Sequence, residues 1–181
     1  LQVDRTELGQ GVITGFVTLL AEELDVRPEQ VRHALAPVHP LFQDPAQLTG
    51  ESTSMRKRWE PLRRTGATAR AMLLQASAAR WQVDVATLRT DGTGAVVDPA
   101  TGARLAYGEL AAEAGQLPVP ADVPLKPPEG WRVIGTDVPR PDVPPKVDGS
   151  ARYGIDTRLP DLLTAVIRRP PRLRAPALRF D

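Results

Sequence analysis

Two short polar turns hold the residue types best suited to chemistry in this chain. They are Glu7-Leu8-Gly9-Gln10-Gly11 and Thr49-Gly50-Glu51-Ser52-Thr53-Ser54. Each stands directly before a run with helical patterning. The first turn of a helix presents unpaired N–H groups and the positive end of the helix dipole, so both turns are suited to an anion. Glycine lets backbone approach a ligand closely. Two such turns in one small chain suggest a shared ligand carrying phosphate. The alternative is purely local: Gln10 closes its own turn, and Ser52, Thr53 or Ser54 caps a helix. Glu22 and Glu23 are adjacent carboxylates, but neighbouring helical residues do not face each other, so they make no catalytic dyad. His33 and His39 are the only histidines and form no ligand pattern. The chain has no cysteine, which excludes disulfides, a thiol nucleophile and a Cys-ligated metal or iron–sulfur cluster from it.

The elements that must position these turns follow from patterning. Residues 1–5 read as a short strand leading to the glycine turn. From Gly11 the positions Val12, Ile13, Phe16, Val17, Leu19, Leu20 and Leu24 follow helical spacing. Asp25 to Pro28 ends that helix, because the residue before proline disfavours the α region. Residues 31–36 read as a second strand and 39–48 as a loop. Ser54 is placed to cap a long alanine- and leucine-rich helix over 55–81. Pro61 then marks a kink or the true first turn. Gly66, Ala67 and Ala71 leave room for another element to pack closely. Residues 96–105 read as a hairpin around Pro99 and Gly102, and 107–117 as a short helix. From Leu117 to Pro145 prolines recur, which predicts a stiff, extended connector laid over a surface. Residues 146–149 suggest a turn, and 162–167 a buried strand opening a new domain. The expected fold class is α+β, a small mixed sheet covered by helices. The starts of the two long helices, at Gln10-Gly11 and at Ser54, are expected close together.

Composition narrows the function classes. The chain has 181 residues, enough for one domain or one and a half, with 41% apolar and 25% charged residues. A formal charge of +1 gives no global reason to expect nucleic-acid binding. The helical cluster Arg56, Lys57, Arg58, Arg63 and Arg64 reads as a solvated face or a partner contact rather than a nucleic-acid patch. Trp59, Trp81 and Trp131 read as packing anchors. No run reaches the length of a membrane span, and no signal-peptide pattern opens the chain. Because Leu1 to Asp4 already reads as strand, the chain looks cut at its start.

Four spaced segments resemble the large subunit of the molybdenum hydroxylases, the xanthine dehydrogenase/aldehyde oxidase superfamily, and most of all its isoquinoline 1-oxidoreductase beta-subunit type. They are Glu7 to Val12; Thr49 to Ser54 with Trp59-Glu60-Pro61-Leu62-Arg63-Arg64 and the Gly66 to Met72 run; Tyr107-Gly108-Glu109-Leu110; and Lys146 to Asp156. The resemblance implies that residues 1–116 are a portion of a molybdopterin-binding domain, 117–145 a proline-rich connector and 146–181 the start of an a/b hammerhead domain. It implies that Gly9, Gln10 and Gly11 contact the pterin of a molybdopterin cytosine dinucleotide. It also implies that Gly50, Ser52, Thr53 and Ser54 contact the pterin or the pyrophosphate-nucleotide part.

The family hydroxylates aldehydes or N-heteroaromatic carbons, with water as oxygen source. Its general base, a late glutamate near the metal, falls outside the matched segments. No catalytic residue and no metal ligand is therefore expected here, and the chain alone is expected to be inactive. The resemblance implies two kinds of partner: the remainder of the large subunit or a complementary chain, and an iron–sulfur or cytochrome electron-transfer subunit. The alternative is a non-catalytic binding or scaffold protein retaining the fold. The bacterial cytoplasm and periplasm both remain open as compartments. Two positions depart from the family: Glu51 stands where glycine is usual, and Arg168 to Arg174 is unusually basic.

Overall fold

The computed structural model describes residues 1–42 and 47–175. Part of the expected loop (43–46) and the end of the expected hammerhead segment (176–181) lie outside the described residues.

The chain opens with a β-α-β unit. Strand β1 (Gln2–Val3) leads through the first glycine turn into helix α1 (Val12–Leu24). Strand β2 (Ala34–Leu35) then lies parallel to β1, with Gln2 opposite Ala34 and Val3 opposite Leu35. A parallel return requires a crossover element, and α1 supplies it. The apolar stripe of α1, Val12, Ile13, Phe16 and Val17, buries with Val3, and Met55 and Leu62 pack against that cluster.

Helix α2 (Ser54–Trp81) has 28 residues and is about 42 Å long at the standard rise. Pro61 lies inside it, so it is not the first helical turn. Helices α1 and α2 run side by side in the same direction. Near their starts Gly15 faces Met55; further along, Gly66 lies against Leu20, Glu23 and Leu24. A Cβ at Gly66 would come within 2.8 Å of the Leu20 carbonyl oxygen and 3.1 Å of the Leu24 nitrogen. Ala67 is fully buried beside it. The small residues therefore do admit a close neighbour, and that neighbour is α1.

The second half of α2 enters a separate core. Leu73 and Ala76 pack with Leu88, Val96, Leu110 and Ala114. Val96, Leu110 and Ala114 belong to a three-stranded antiparallel sheet and the helix after it, and Leu88 directly precedes the first strand of that sheet. That sheet comprises β3 (Arg89–Thr90), β4 (Ala95–Val97) and β5 (Arg104–Ala106). Helix α3 (Tyr107–Ala114) follows directly. Asp98 forms the β4–β5 turn by accepting from the Ala100 N–H at 2.9 Å and the Thr101 hydroxyl at 2.7 Å.

The α+β character holds, but the single mixed sheet does not. The strands divide into a parallel pair and an antiparallel triplet, because α2 is long enough to serve two cores. α3 also stops at Ala114, short of the expected Leu117.

The first compact unit runs from Leu1 to Pro141 and includes most of the proline-rich stretch. The second begins at Asp142. It contains one short helix, α4 (Val143–Val147), and a 3-10 turn at Gly154–Asp156. The strand expected over 162–167 does not form: Leu163 is 91% and Ile167 79% exposed. A strand needs a pairing partner and a face to bury, and described residues 142–175 supply no other strand.

Substituting Gly66→Val should destabilise the 181-residue chain by about 1–3 kcal/mol, the usual cost of overpacking a rigid contact. Urea denaturation followed by circular dichroism checks this. Gly108→Ala, at a helical position with open space around it, should leave the midpoint unchanged or raise it slightly.

Candidate functional site

The two polar turns meet. The Thr6 N–H donates to the Thr49 hydroxyl at 2.7 Å, linking the loop before α1 to the loop before α2. Between the helix starts lies an open cleft of about 420 Å³. Leu8, Val12, Gly15 and Met55 form its apolar lining, while Gln10, Gly11, Thr49, Gly50, Ser52 and Ser54 supply backbone and polar groups. Five of the seven expected contact residues thus line one cleft; Gly9 and Thr53 do not.

The two helix starts differ in how their N–H groups are satisfied. At α1, the Glu7 carboxylate accepts from the Gly9 and Gly11 N–H groups, each at 2.9 Å, and from Ile13 at 3.2 Å. Gly9 and Gly11 take positive φ values of 102° and 81°, which only glycine adopts readily. Gln10 folds back on its own turn: its Oε1 accepts from the Leu8 N–H and its Nε2 donates to the Thr6 carbonyl. The anion-ready turn expected here is therefore closed by the protein's own carboxylate. Glu7 was missed as a functional position, although an acidic residue near a helix start is a readable signal of such an interaction.

At α2 no side chain caps the helix, which corrects the assignment of that role to Ser54. The Thr53 hydroxyl turns away and donates to the Gly50 carbonyl at 3.1 Å. The first turn of α2 carries no acidic residue, whereas Arg56 and Lys57 stand exposed there. Glu51 and Ser52 sit at positive φ, 56° and 53°. This explains why glycine suits position 51; the Glu51 side chain is exposed and does not line the cleft.

At the opposite end of α1 from the cleft lies a buried charge cluster. Glu23, fully buried, receives the Arg63 guanidinium at 2.7 and 2.9 Å and the Lys126 backbone N–H at 3.2 Å. The Arg63 guanidinium lies over the rings of Trp59 and Trp131, 5.6 and 5.4 Å from their centroids. Those rings pack edge to face at 5.9 Å. Glu22 accepts from three successive N–H groups, those of Arg132, Val133 and Ile134, at 2.7–3.1 Å. Lys126 Nζ bridges Glu22 and Asp25 at 3.2 and 2.8 Å. The adjacent carboxylates are thus structural, each with its own partners.

The basic cluster on α2 is largely committed to internal pairs. Arg58 pairs with Asp4, Arg63 with Glu23, and Arg64 with Glu60 and Asp122. Among the described residues no group of acidic residues and histidines could hold a metal, and no helix is long and apolar enough to cross a membrane.

The chain is 36% identical over 167 residues to a nicotinate dehydrogenase subunit from Pseudomonas putida, and 32% identical over 204 residues to the beta subunit of isoquinoline 1-oxidoreductase from Brevundimonas diminuta. Each match covers 91% of this chain. Both relatives are molybdenum hydroxylase family members, and the chain is similar to them over nearly all of its own length. A further relative is 26% identical over 179 residues: the membrane-bound aldehyde dehydrogenase (pyrroloquinoline-quinone) of Gluconacetobacter polyoxogenes. The chain spans only 14%, 26% and 22% of the lengths of these three relatives. No protein-family model matches it. The similarity to these molybdenum-containing hydroxylase subunits implies a molybdenum cofactor.

The charge cluster makes acid stability a direct readout of this architecture. For Glu22, burial alone would raise the pKa, but the N–H groups of Val133, Ile134 and Arg132, with Lys126, hold it below the usual 4.5. For Asp25, burial is likewise overcome, here by Lys126 and the Thr90 hydroxyl, so its pKa lies below the usual 3.8. A carboxylate with a lowered folded pKa stabilises the fold above its unfolded value, and that contribution disappears as pH falls through the folded value. Stability should therefore hold from neutrality down to about pH 5 and decline from about pH 4.5 downward. Glu22→Gln should lower stability near neutrality and flatten that acid limb. Denaturant midpoints measured between pH 7 and pH 3 check both.

Proposed function

We propose that this chain is the cofactor-holding part of a molybdenum-dependent oxidoreductase. The whole enzyme would hydroxylate aldehydes or N-heteroaromatic carbons with water as oxygen source. The cleft between the starts of α1 and α2 would receive molybdopterin cytosine dinucleotide. One observation carries this reading: the start of α2, without a side-chain cap and flanked by exposed Arg56 and Lys57, opens on the cleft lined by Gln10 and Gly11. Cations at a helix N-terminus oppose the dipole, at about 0.3–1 kcal/mol each. A bound anion would reverse that cost.

The residues fit the group at both ends of the cleft. The first N–H groups of α2, with Gly50, Ser52 and Ser54, would hold its anionic part. Gln10 and Gly11 would face its neutral ring system, and the apolar lining from Leu8, Val12 and Met55 would exclude water from that face. Gly9 and Thr53 would act from behind, shaping the two turns. When bound, the cofactor would supply two-electron redox chemistry at its metal. None of the described residues lining the cleft is a carboxylate, histidine or lysine. The base would come from elsewhere in the large subunit or from a complementary chain. Electrons would leave through an iron–sulfur or cytochrome subunit.

The test is to purify the full-length protein that contains this chain with its redox partner. Molybdenum is quantified by mass spectrometry, and the nucleotide released by acid is identified. Near-stoichiometric molybdenum and cytidine monophosphate are expected. A bound quinone without molybdenum would overturn the reading. Reversing both cations, Arg56→Glu with Lys57→Glu, should reduce molybdenum content several-fold while leaving the thermal midpoint of the apoprotein unchanged or raised. The 181-residue chain alone should give no turnover of aldehydes or N-heteroaromatics with a dye acceptor.

A further inference from the structure

The Gly9-Gln10-Gly11 turn is held by two charged residues, one close to it in sequence and one distant. The Glu7 carboxylate takes the N–H groups of Gly9, Gly11 and Ile13. Arg140, 131 residues away from Gly9, donates from Nη1 to the Gly9 carbonyl at 3.0 Å. Its Nη2 stands 3.6 Å from Glu7 Oε1, where the Glu7 side chain is only 10% exposed. The guanidinium also lies against Gly11: a Cβ there would meet it at 3.9 Å. Both polar faces of the turn are therefore occupied by protein groups, N–H by Glu7 and carbonyl by Arg140.

We propose that Glu7 and Arg140 are the positioning residues of this turn, and that Glu7 serves as a built-in anion that closes the start of α1 to phosphate. The proposal rests on the reading of the cleft as a cofactor site, and it deepens that reading by assigning the two ends of the cleft opposite polarity. The carboxylate satisfies the N–H groups and the helix dipole that would otherwise attract a ligand anion. Arg140 offsets the carboxylate's charge and fixes the Gly9 peptide. A neutral portion of a ligand is then preferred over the Gly9–Gly11 turn, and an anionic portion is directed to the start of α2.

The test uses the 181-residue chain, with backbone amide exchange and inorganic pyrophosphate as probe, both read by NMR. In Glu7→Ala, exchange at Gly9, Gly11 and Ile13 should rise about tenfold or more, the factor expected for losing one charge-assisted hydrogen bond. Pyrophosphate should then shift those amides, which it leaves unmoved in the unsubstituted chain. Arg140→Met should raise exchange at the turn less, and Arg140→Lys should partly restore it. Glu7→Gln keeps an acceptor without the charge, so it keeps the test available if the alanine variant does not fold; it should give intermediate protection.

Pyrophosphate shifts at Gly9 and Gly11 in the unsubstituted chain would overturn the proposal. Unchanged exchange at those amides in both Glu7 variants would also overturn it. The cofactor reading is judged separately, by molybdenum content. If that reading fails while Glu7-dependent protection and exclusion of pyrophosphate persist, the positioning role stands without it.

Discussion

The rest of the first unit depends on the burial of three carboxylates, Glu22, Glu23 and Asp25, at the end of α1. Removing one partner from a buried ion pair typically costs about 3–5 kcal/mol, because the remaining charge is left in low dielectric. Each of these groups is therefore a constraint on whatever surrounds it. Arg63 of α2 answers Glu23, which fixes the two helices in register. Lys126 answers Glu22 and Asp25. The backbone of 132–134 answers Glu22 again. A proline-rich strap has few N–H groups to offer, and this one directs four of them, from Lys126, Arg132, Val133 and Ile134, onto the two glutamates. That is why most of the strap packs as part of the first unit rather than hanging from it.

The strap's path has a consequence at the opposite end of α1. Once residues 126–134 are pinned beside the C-terminus of α1, the chain can return along the unit and bring Arg140 to the Gly9 carbonyl at its N-terminus. The charge cluster and the cleft are thus connected through one extended segment and one helix. The Trp59–Arg63–Trp131 stack supports the same arrangement. It shields the Arg63–Glu23 pair from water with two aromatic faces, strengthening the attraction between the charges.

Much of the fold was legible in the sequence because it rests on local pattern. The stripe from Val12 to Leu24 gave α1, the alanine-rich run gave α2, and Pro99 with Gly102 marked the β4–β5 turn. The small residues at 66 and 67 indicated close packing, and Gly66 proved to be where α1 touches α2. What escaped notice is non-local. Nothing in residues 117–145 says that Lys126 will reach α1, because its partners are over 100 positions away. The division of the strands into two sheets follows from α2 serving two cores, which periodicity does not reveal. The apolar run at 162–167 carries strand propensity but no strand partner within the described part of its unit. At the candidate site, the meeting of the two turns was readable from their shared character. The charge of Glu7 near a helix start was readable as well, but not that it would take the N–H groups of Gly9, Gly11 and Ile13 and so occupy the site its neighbours form.

Parallel packing of α1 and α2 also sets the electrostatics of the cleft. Two helices side by side in the same direction place both positive dipole ends together, which is unfavourable unless negative charge sits nearby. The first end is satisfied internally by Glu7. Charge is not the only route to satisfaction at the second, since water can serve the exposed N–H groups. But water carries no net charge, and the adjacent Arg56 and Lys57 add positive potential where neutral solvent cannot compensate it. Gly15 and Gly66 keep the two axes close, so the potentials of the two ends overlap rather than being screened apart. Close packing brings the two ends together, and Glu7 at one start against no acidic residue in the first turn of the other makes one closed and the other open, so that an anion at the open start would gain from the N–H groups of α2 and from the nearby Arg56 and Lys57.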